Sequence, residues 1–410
     1  MTDRFRDPAW LRGHVADVLT FYYPTCVDET RGGFVAQLDE RTSRVYDPEP
    51  RHLVASARFV VNFARGARLD DAAATAGTNT PDADALDWCR SAAARGAEFL
   101  ADAHRDAEAG GYQWLLSGTD PVDERRSCYG HAFVLLAYAE ATMAGVPGAR
   151  ERLEATADLV DERFWEADHG LCRSELDADW NSVESYRGQN ANMHMCEAML
   201  GAYEATENRA YLDRALTIAR RMTVDLTETT DGRIWEHYTE SWDHDFAYNR
   251  EQPEDLFRPW GYQPGHHAEW AKLTAALSRH TDEPWPRERA TELFDAALDG
   301  WDEEYGGFYY TLDREGDPVV DDKYGWPVAE AIGAAAVLSD VVDDADRERY
   351  LEWYDRLWAY AEANLVAPGG NWYTQLTREN EYVDTSDGPA VEPGYHPIGA
   401  CWEALRSFDG

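Results

Sequence analysis

Six times along the chain a glycine turn opens a short extended stretch: Gly32-Gly33-Phe34, Gly110-Gly111-Tyr112, Gly170-Leu171, Gly232-Arg233, Gly306-Gly307-Phe308 and Gly370-Asn371. After each comes a segment of helical periodicity whose first turn carries unusual polar or aromatic residues, and an internal period of this kind decides architecture before any other signal. In chain order these segments are residues 52–63, 128–138, 186–197, 258–273, 323–331 and 392–402. Val60, Phe63, Ala64 and Ala67 in the first, and Ala132, Leu135, Leu136 and Ala139 in the second, recur at i, i+3, i+4 and i+7, so each segment can bury one stripe. Between them lie segments of matching length with more charge, such as residues 149–165 and 208–226. Apolar and charged helices paired six times over predict an all-α fold, an (α/α)6 barrel with short β-hairpins at one end. The repeat runs to the last helix without a linker, so residues 1–410 are expected to form a single domain. Two stretches interrupt the pattern. Residues 70–85 are small and polar and read as a surface loop, whereas residues 235–257 are aromatic and charged at once and read as a lid or wall.

If the six segments form an inner ring, their N-terminal ends converge on one funnel. That funnel would hold Arg58, Tyr129, His131, Asn190, His194, His266, Glu269, Trp326, Glu330 and His396. His266, Glu269 and Trp270 stand at i, i+3 and i+4 on one helix face, behind a Pro-Gly helix start. A histidine there, oriented by the carboxylate of its own helix, suits a general base, because its pKa lies near working pH. An HxxE pair is also a common structural contact, and His267 points elsewhere, so it reads as structural. Asn190 and His194 again share a face, with Gln189 and Asn192 beside them. Uncharged amides that both donate and accept suit hydroxyl-rich ligands, although Asn190 could equally cap its helix. Arg58 falls among apolar residues and needs a carboxylate, a carbonyl or a ligand oxygen. Trp326 and Glu330 put an aromatic plate and a carboxylate on one face, and His396 fits the first turn of the last helix.

Composition narrows the partners. The formal net charge is -40, from 78 acidic against 38 basic residues, and the only lysines are Lys272 and Lys323. Such a chain repels nucleic acid and anionic membrane surfaces, and its surface suits very high salt, where screening suppresses self-repulsion. With 44% hydrophobic residues it is too rich in core formers to be an acidic disordered tail. The six cysteines show no CxxC pair and read as buried thiols. No HxH, HExxH or phosphate-binding glycine motif occurs, so neither a metal nor a nucleotide cofactor is expected. The N-terminal residues lack an apolar secretory core, which places the protein in the cytoplasm.

These ordered motifs resemble the N-acylglucosamine 2-epimerase superfamily over essentially the whole chain. The resemblance implies an (α/α)6 barrel, no required metal or nucleotide for the isomerase branch, and proton shuttling at C1 and C2 of an open-chain sugar. On the family pattern Arg58 and Tyr129 are similar to sugar-binding positions, Asn190 and His194 match NxxxH, and His266 with Glu269 match GHxxEW. Trp326 and Glu330 match WxxxE, and His396 matches the histidine of the terminal YH. His266 and His396 stand where the family places its acid–base pair. Trp270 directly after Glu269 is similar to the aldose–ketose isomerase branch. Two residues depart from the pattern: Gly325 replaces a second tryptophan and should open the pocket floor, and Glu392 makes an anionic sugar less comfortable.

The leading expectation is therefore an isomerase of a free neutral hexose such as mannose, monomeric or homodimeric. A sugar 2-epimerase would use the same residues. A glycoside hydrolase would use two carboxylates, such as Glu269 and Glu330, and leave the funnel histidines idle. A sugar-binding protein of the same fold would show no chemistry at all.

Overall fold

The computed structural model describes residues 3–76, 86–386 and 388–408. Twelve helices of eleven or more residues follow one another: α1 Pro8–Tyr22, α2 Leu53–Ala76, α3 Cys89–Phe99, α4 Cys128–Met143, α5 Ala149–Arg163, α6 Gln189–Thr206, α7 Arg209–Thr223, α8 Pro264–Ser278, α9 Trp285–Leu298, α10 Gly325–Val341, α11 Asp344–Tyr360 and α12 Tyr395–Phe408. The even-numbered helices pack side by side into an inner ring, closed where α12 meets both α10 and α2. The odd-numbered helices back them from outside, and α1 backs α12, so the first helix completes the last hairpin. Burial follows from this layering. Along α4, α6, α8 and α10 nearly every residue is buried, whereas α5 and α11 expose their charged faces. The six cysteines are buried and free. No helix among the described residues is long and apolar enough to cross a membrane.

The expected loop over residues 70–85 is corrected in part. Residues 70–76 continue α2, where Ala72, Ala73 and Ala74 favour helix, and residues 77–85 lie outside the described residues.

A short strand precedes most inner helices and pairs with the extended stretch that follows the next outer helix. Pro50–His52 pairs with Leu115–Ser117, Arg126–Ser127 with Glu175–Leu176, Arg187–Gly188 with His237–Tyr238, and Lys323–Tyr324 with Gln375–Leu376, all antiparallel. The pairing continues into the helix start. The first N–H groups of α2, α4, α6 and α10 donate to Trp114 O, Ser174 O, Glu236 O and Thr374 O at 2.9–3.1 Å. A helix N-terminus leaves such donors without intrahelical partners, and here the neighbouring repeat supplies them.

A second tie recurs at the fourth residue of three inner helices. His131, Asn192 and His267 each accept the backbone N–H just past a glycine turn, from Tyr112 (3.1 Å), Cys172 (2.7 Å) and Ile234 (3.0 Å). Each also donates to the carbonyl four residues back, at Ser127, Gly188 and Gln263. These side chains fasten turn to helix, so the odd polar residues of the first turns are not all aimed at the axis. His131, expected in the funnel, belongs to this structural set.

Replacing His267 by Ala orphans the buried N–H of Ile234 and should destabilise the fold by about 1–3 kcal/mol from that group alone. A denaturant midpoint unchanged from the wild type would contradict the tie.

Candidate functional site

The sixth residue of each of five inner helices is Arg58, Phe133, His194, Glu269 or Glu330, and this level surrounds the floor of a cavity of about 510 Å3. Such a volume lies in the range of roughly 300–1,000 Å3 of small-molecule sites. Eight of the ten residues expected in the funnel line it: Arg58, Tyr129, Asn190, His194, His266, Glu269, Trp326 and His396. Glu330 does not. It lies behind His396, with Oε1 2.7 Å from His396 Nδ1 and Oε2 on the ammonium of Lys272. The expected sugar contact by Glu330 is therefore corrected to a carboxylate that holds a histidine.

His266 sits on the first turn of α8, where Pro264 starts the helix and Gly265 lets the Trp326 indole approach. A methyl group at Gly265 would stand 2.5 Å from that ring. The carboxylate that orients His266 is not Glu269, as expected, but Glu236, whose two oxygens lie 3.0 Å from His266 Nδ1. Glu269 stands a turn further down the same helix and falls nearer His194 and Lys272. Glu236 arrives through the backbone register that pairs Gly188 with His237. Gln189 clamps the arrangement: its amide donates to Glu236 Oε2 (2.9 Å), lies 2.7 Å from His266 Nδ1, and accepts the indole N–H of Trp270 (2.8 Å). The two carboxylate oxygens facing Nδ1 favour the tautomer with its proton there, donated to Glu236, so the Gln189 nitrogen is a close neighbour of the ring and not a donor to it. Burial pushes Glu236 up, but the charge of His266 and the bonds from His266 and Gln189 outweigh it and hold the carboxyl below its usual range. Gln189 and Asn192, grouped with the ligand-binding amides from sequence, both serve protein partners instead. Asn190 lines the cavity without capping its helix, since the cap residue of α6 is Gly188.

His396 lies between two carboxylates, Glu330 on Nδ1 and Glu392 at 3.4 Å from Nε2. Burial pulls its pKa down, yet Glu392 and Glu330 reverse this and raise it to about 9. Arg58 is buried against Phe133 and Tyr395, 4.4 and 4.8 Å from the ring centres, and donates to Val391 O, Glu392 and the Tyr129 hydroxyl. The carbonyl and carboxylate that its sequence position demanded are thus both present. The Trp326 indole is inclined by 40° and 41° to the two imidazoles, with ring centres 5.1 Å from His266 and 5.8 Å from His396.

Below the floor, Glu197, Glu269 and Glu330 share one ammonium, that of Lys272. Glu197 also accepts from Tyr395 (2.6 Å) and meets His194 Nδ1 (3.2 Å). Burial pushes Glu269 up, helped by Glu330, to about 8; burial also brings His194 down to about 4, opposed by Glu197 and aided by the charges of Arg58 and His396. Donor atoms of His194, Glu197 and Glu269, and of Glu269, Glu330 and His396, gather within 4.8 Å. Lys272 already supplies the positive charge these sets require, so neither is assigned as a metal centre.

The walls come partly from the expected segment, through Glu254, Leu256 and Phe257, and partly from stretches that sequence reasoning missed, through Tyr46, Tyr382 and Val391. Gly325 does not open the floor as expected. A methyl group there would stand 2.7 Å from the Tyr373 carbonyl, so the glycine admits the backbone that leads into the Gln375–Leu376 strand. Glu236, Lys272 and the cavity-lining Gln263 were also missed. A sequence signal existed for Lys272, since both lysines of this arginine-rich chain prove to be buried ion-pair partners.

The sequence pattern of the N-acylglucosamine 2-epimerase family matches residues 32–400. The chain belongs to this family. Within it, the chain is 40% identical to a D-mannose isomerase of Marinomonas mediterranea over 407 residues, covering 98% of each sequence. The fold superposes on a crystal structure of a D-mannose isomerase with a TM-score of 0.89, at 40% identity and 98% of each chain. It also superposes on the cellobiose 2-epimerase from Spirochaeta thermophila with a TM-score of 0.77, at 20% identity, covering 98% of this chain and 97% of the other, which supports the toroid alone.

The site carries a pH signature. Glu269 is raised from its ordinary value to about 8, so the native state holds a proton that the unfolded chain has released, and stability falls as pH rises toward 8. Glu269→Gln removes this loss. Its thermal midpoint should gain on the wild type between about pH 5 and pH 8, the window between the ordinary glutamate value and the raised one. A difference that stays flat over that window would contradict the assignment.

Proposed function

We propose that the chain is an aldose–ketose isomerase acting on free mannose or a related neutral hexose. The observation that carries this is a pair of histidines, each backed by a buried carboxylate, lining one cavity on either side of Trp326. Close family members named for D-mannose isomerisation support it.

His396, held as an imidazolium, protonates the ring oxygen and takes up the proton that the C1 hydroxyl loses, so the C1–O5 bond breaks, an aldehyde forms and the imidazolium is restored. His266 then takes the C2 proton through the nitrogen that does not face Glu236. The electron pair closes a C1=C2 bond as O1 is protonated by His396, giving a cis-enediol. In the second half His396 takes the O2 proton and His266 returns its proton to C1, leaving a ketone at C2 and both histidines as they began. Arg58 and Asn190 lie where charge develops on oxygen. Tyr129, His194 and Glu269 meet hydroxyls, and Trp326 offers a plate for the sugar ring. A glycosidase would need two carboxylates facing the bond, and only Glu269 of the expected pair lines the cavity.

The acidic surface belongs to the same proposal. A net charge of -40 fits a cytoplasm of molar salt and disfavours nucleic acid and anionic lipid. The enzyme would act on a dissolved monosaccharide with residues 1–410 as one catalytic unit, monomeric or homodimeric, without cofactor.

Incubated with mannose in multimolar potassium chloride, the protein should yield fructose. Glucose without ketose would indicate 2-epimerisation instead, and no turnover of any free aldose would sink the proposal. His266→Ala and His396→Ala should each lower turnover at least about 100-fold with the fold intact, the lower end of general acid–base contributions.

A further inference from the structure

The two histidine–carboxylate pairs differ in what stands behind the carboxylate. Behind Glu236 is a neutral amide, that of Gln189. Behind Glu330 is the ammonium of Lys272, buried on α8 three residues beyond Glu269 and 3.9 Å from Glu269 Oε1. Its stem passes α10 at Gly333, where a methyl group would stand 3.3 Å from Lys272 Cδ. The groove therefore admits a slim alkyl chain. A lysine ends in a compact point charge, unlike the planar guanidinium that this chain uses almost everywhere else.

We propose that Lys272 is a positioning residue for proton transfer: by sharing the charge of Glu330 it weakens the hold of that carboxylate on His396 and lets the imidazolium give up its proton. The chemical step it serves rests on the isomerase reading above. The charges around it come from every packed element. Glu197, itself paired with His194, faces it from α6, Glu269 from α8 and Glu330 from α10. Beyond Glu330, His396 also meets Glu392 and the Arg58 of α2, with the Tyr129 and Tyr395 hydroxyls nearby. Two carboxylates on one imidazole would otherwise fix its proton. An acid that cannot release its proton is a poor donor, so the ammonium on the far oxygen of Glu330 brings His396 back toward use. His266, whose carboxylate has only an amide behind it, receives no such correction. The pair is thereby split into unlike partners, the arrangement that acid and base roles require.

The test follows His396 directly, by NMR titration of histidine-labelled protein at fixed high salt, with His396→Gln identifying the signal. Lys272→Met should raise the His396 pKa by about one pH unit or more, as expected for removing a buried unit charge at this remove. Lys272→Arg should fall between Lys272→Met and the wild type. Should Lys272→Met not fold, the comparison moves to Glu330→Gln against Lys272→Met with Glu330→Gln, in which the charge lost is smaller. Glu330→Gln alone should titrate lower than the double variant by a similar amount, because only there does the ammonium still oppose protonation. Identical His396 titrations within either comparison would overturn the proposal. In turnover of mannose, the alkaline limb of kcat/KM should move with the His396 titration. A lysine that merely supports the fold would scale kcat/KM equally at every pH, and that outcome also overturns it. If the wild type turns over no aldose, the isomerase reading fails while the titration still decides the role of Lys272.

Discussion

The hydrogen bonds that join the start of one inner helix to the strand of the next repeat are the constraint on which the rest depends. They fix how far α2, α4, α6 and α10 are each rotated about their own axes, because the first N–H must meet a particular carbonyl. Once that rotation is set, the sixth residue of five helices comes to the level of the cavity floor, and the fourth residue of three turns back to a glycine turn. The same bond that satisfies Gln189 N reaches the backbone of Glu236, whose side chain then stands under His266. Folding and catalysis therefore share one register: a strand slipped by a residue would turn Glu236 to the opposite face.

The electrostatics of the site follow from burial. Burial gathers Glu197, Glu269, Glu330 and Glu392 around Lys272, Arg58 and two cavity histidines. These groups cannot all ionise independently. The charge settles unevenly, with Glu392 held down to about 2, Glu269 raised to about 8 and His396 raised to about 9. Glu269 is thereby a hydrogen-bond donor at neutral pH, a role that its sequence position alone does not suggest. The unequal partners of His266 and His396 are the chemical core of the account, since an isomerase must hold one group ready to accept a proton while another is ready to give one.

Much of this was legible in the sequence, and the failures have a common origin. The glycine turns and helical stripes revealed the ring, because the repeat expresses backbone geometry that any neighbour must respect. Eight of the ten residues expected in the funnel line the cavity because the polar residues sit at the same depth in successive inner helices. The errors arose where a side chain's partner comes from another repeat. Spacing within one helix makes Glu269 the expected partner of His266, whereas Glu236 arrives across a strand pair. His131 and Arg58 both stood out near helix starts, and only their fourth and sixth positions, counted from the first paired N–H, separate a structural tie from a floor residue. Lys272 stands out in the sequence as a rarity of composition, but its role depends on the three acidic side chains that converge on it from α6, α8 and α10.

The central claim is that carbon-bound hydrogen moves as a proton through a histidine, and hydrogen isotope tracing tests it most directly. Mannose carrying deuterium at C2 should be converted in ordinary water to fructose that has lost part or all of its label to solvent, because a histidine that takes a proton exchanges it. Conversion with the deuterium retained in full at C1, and no solvent hydrogen entering the product, would mean a hydride shift and would contradict the roles assigned to His266 and His396.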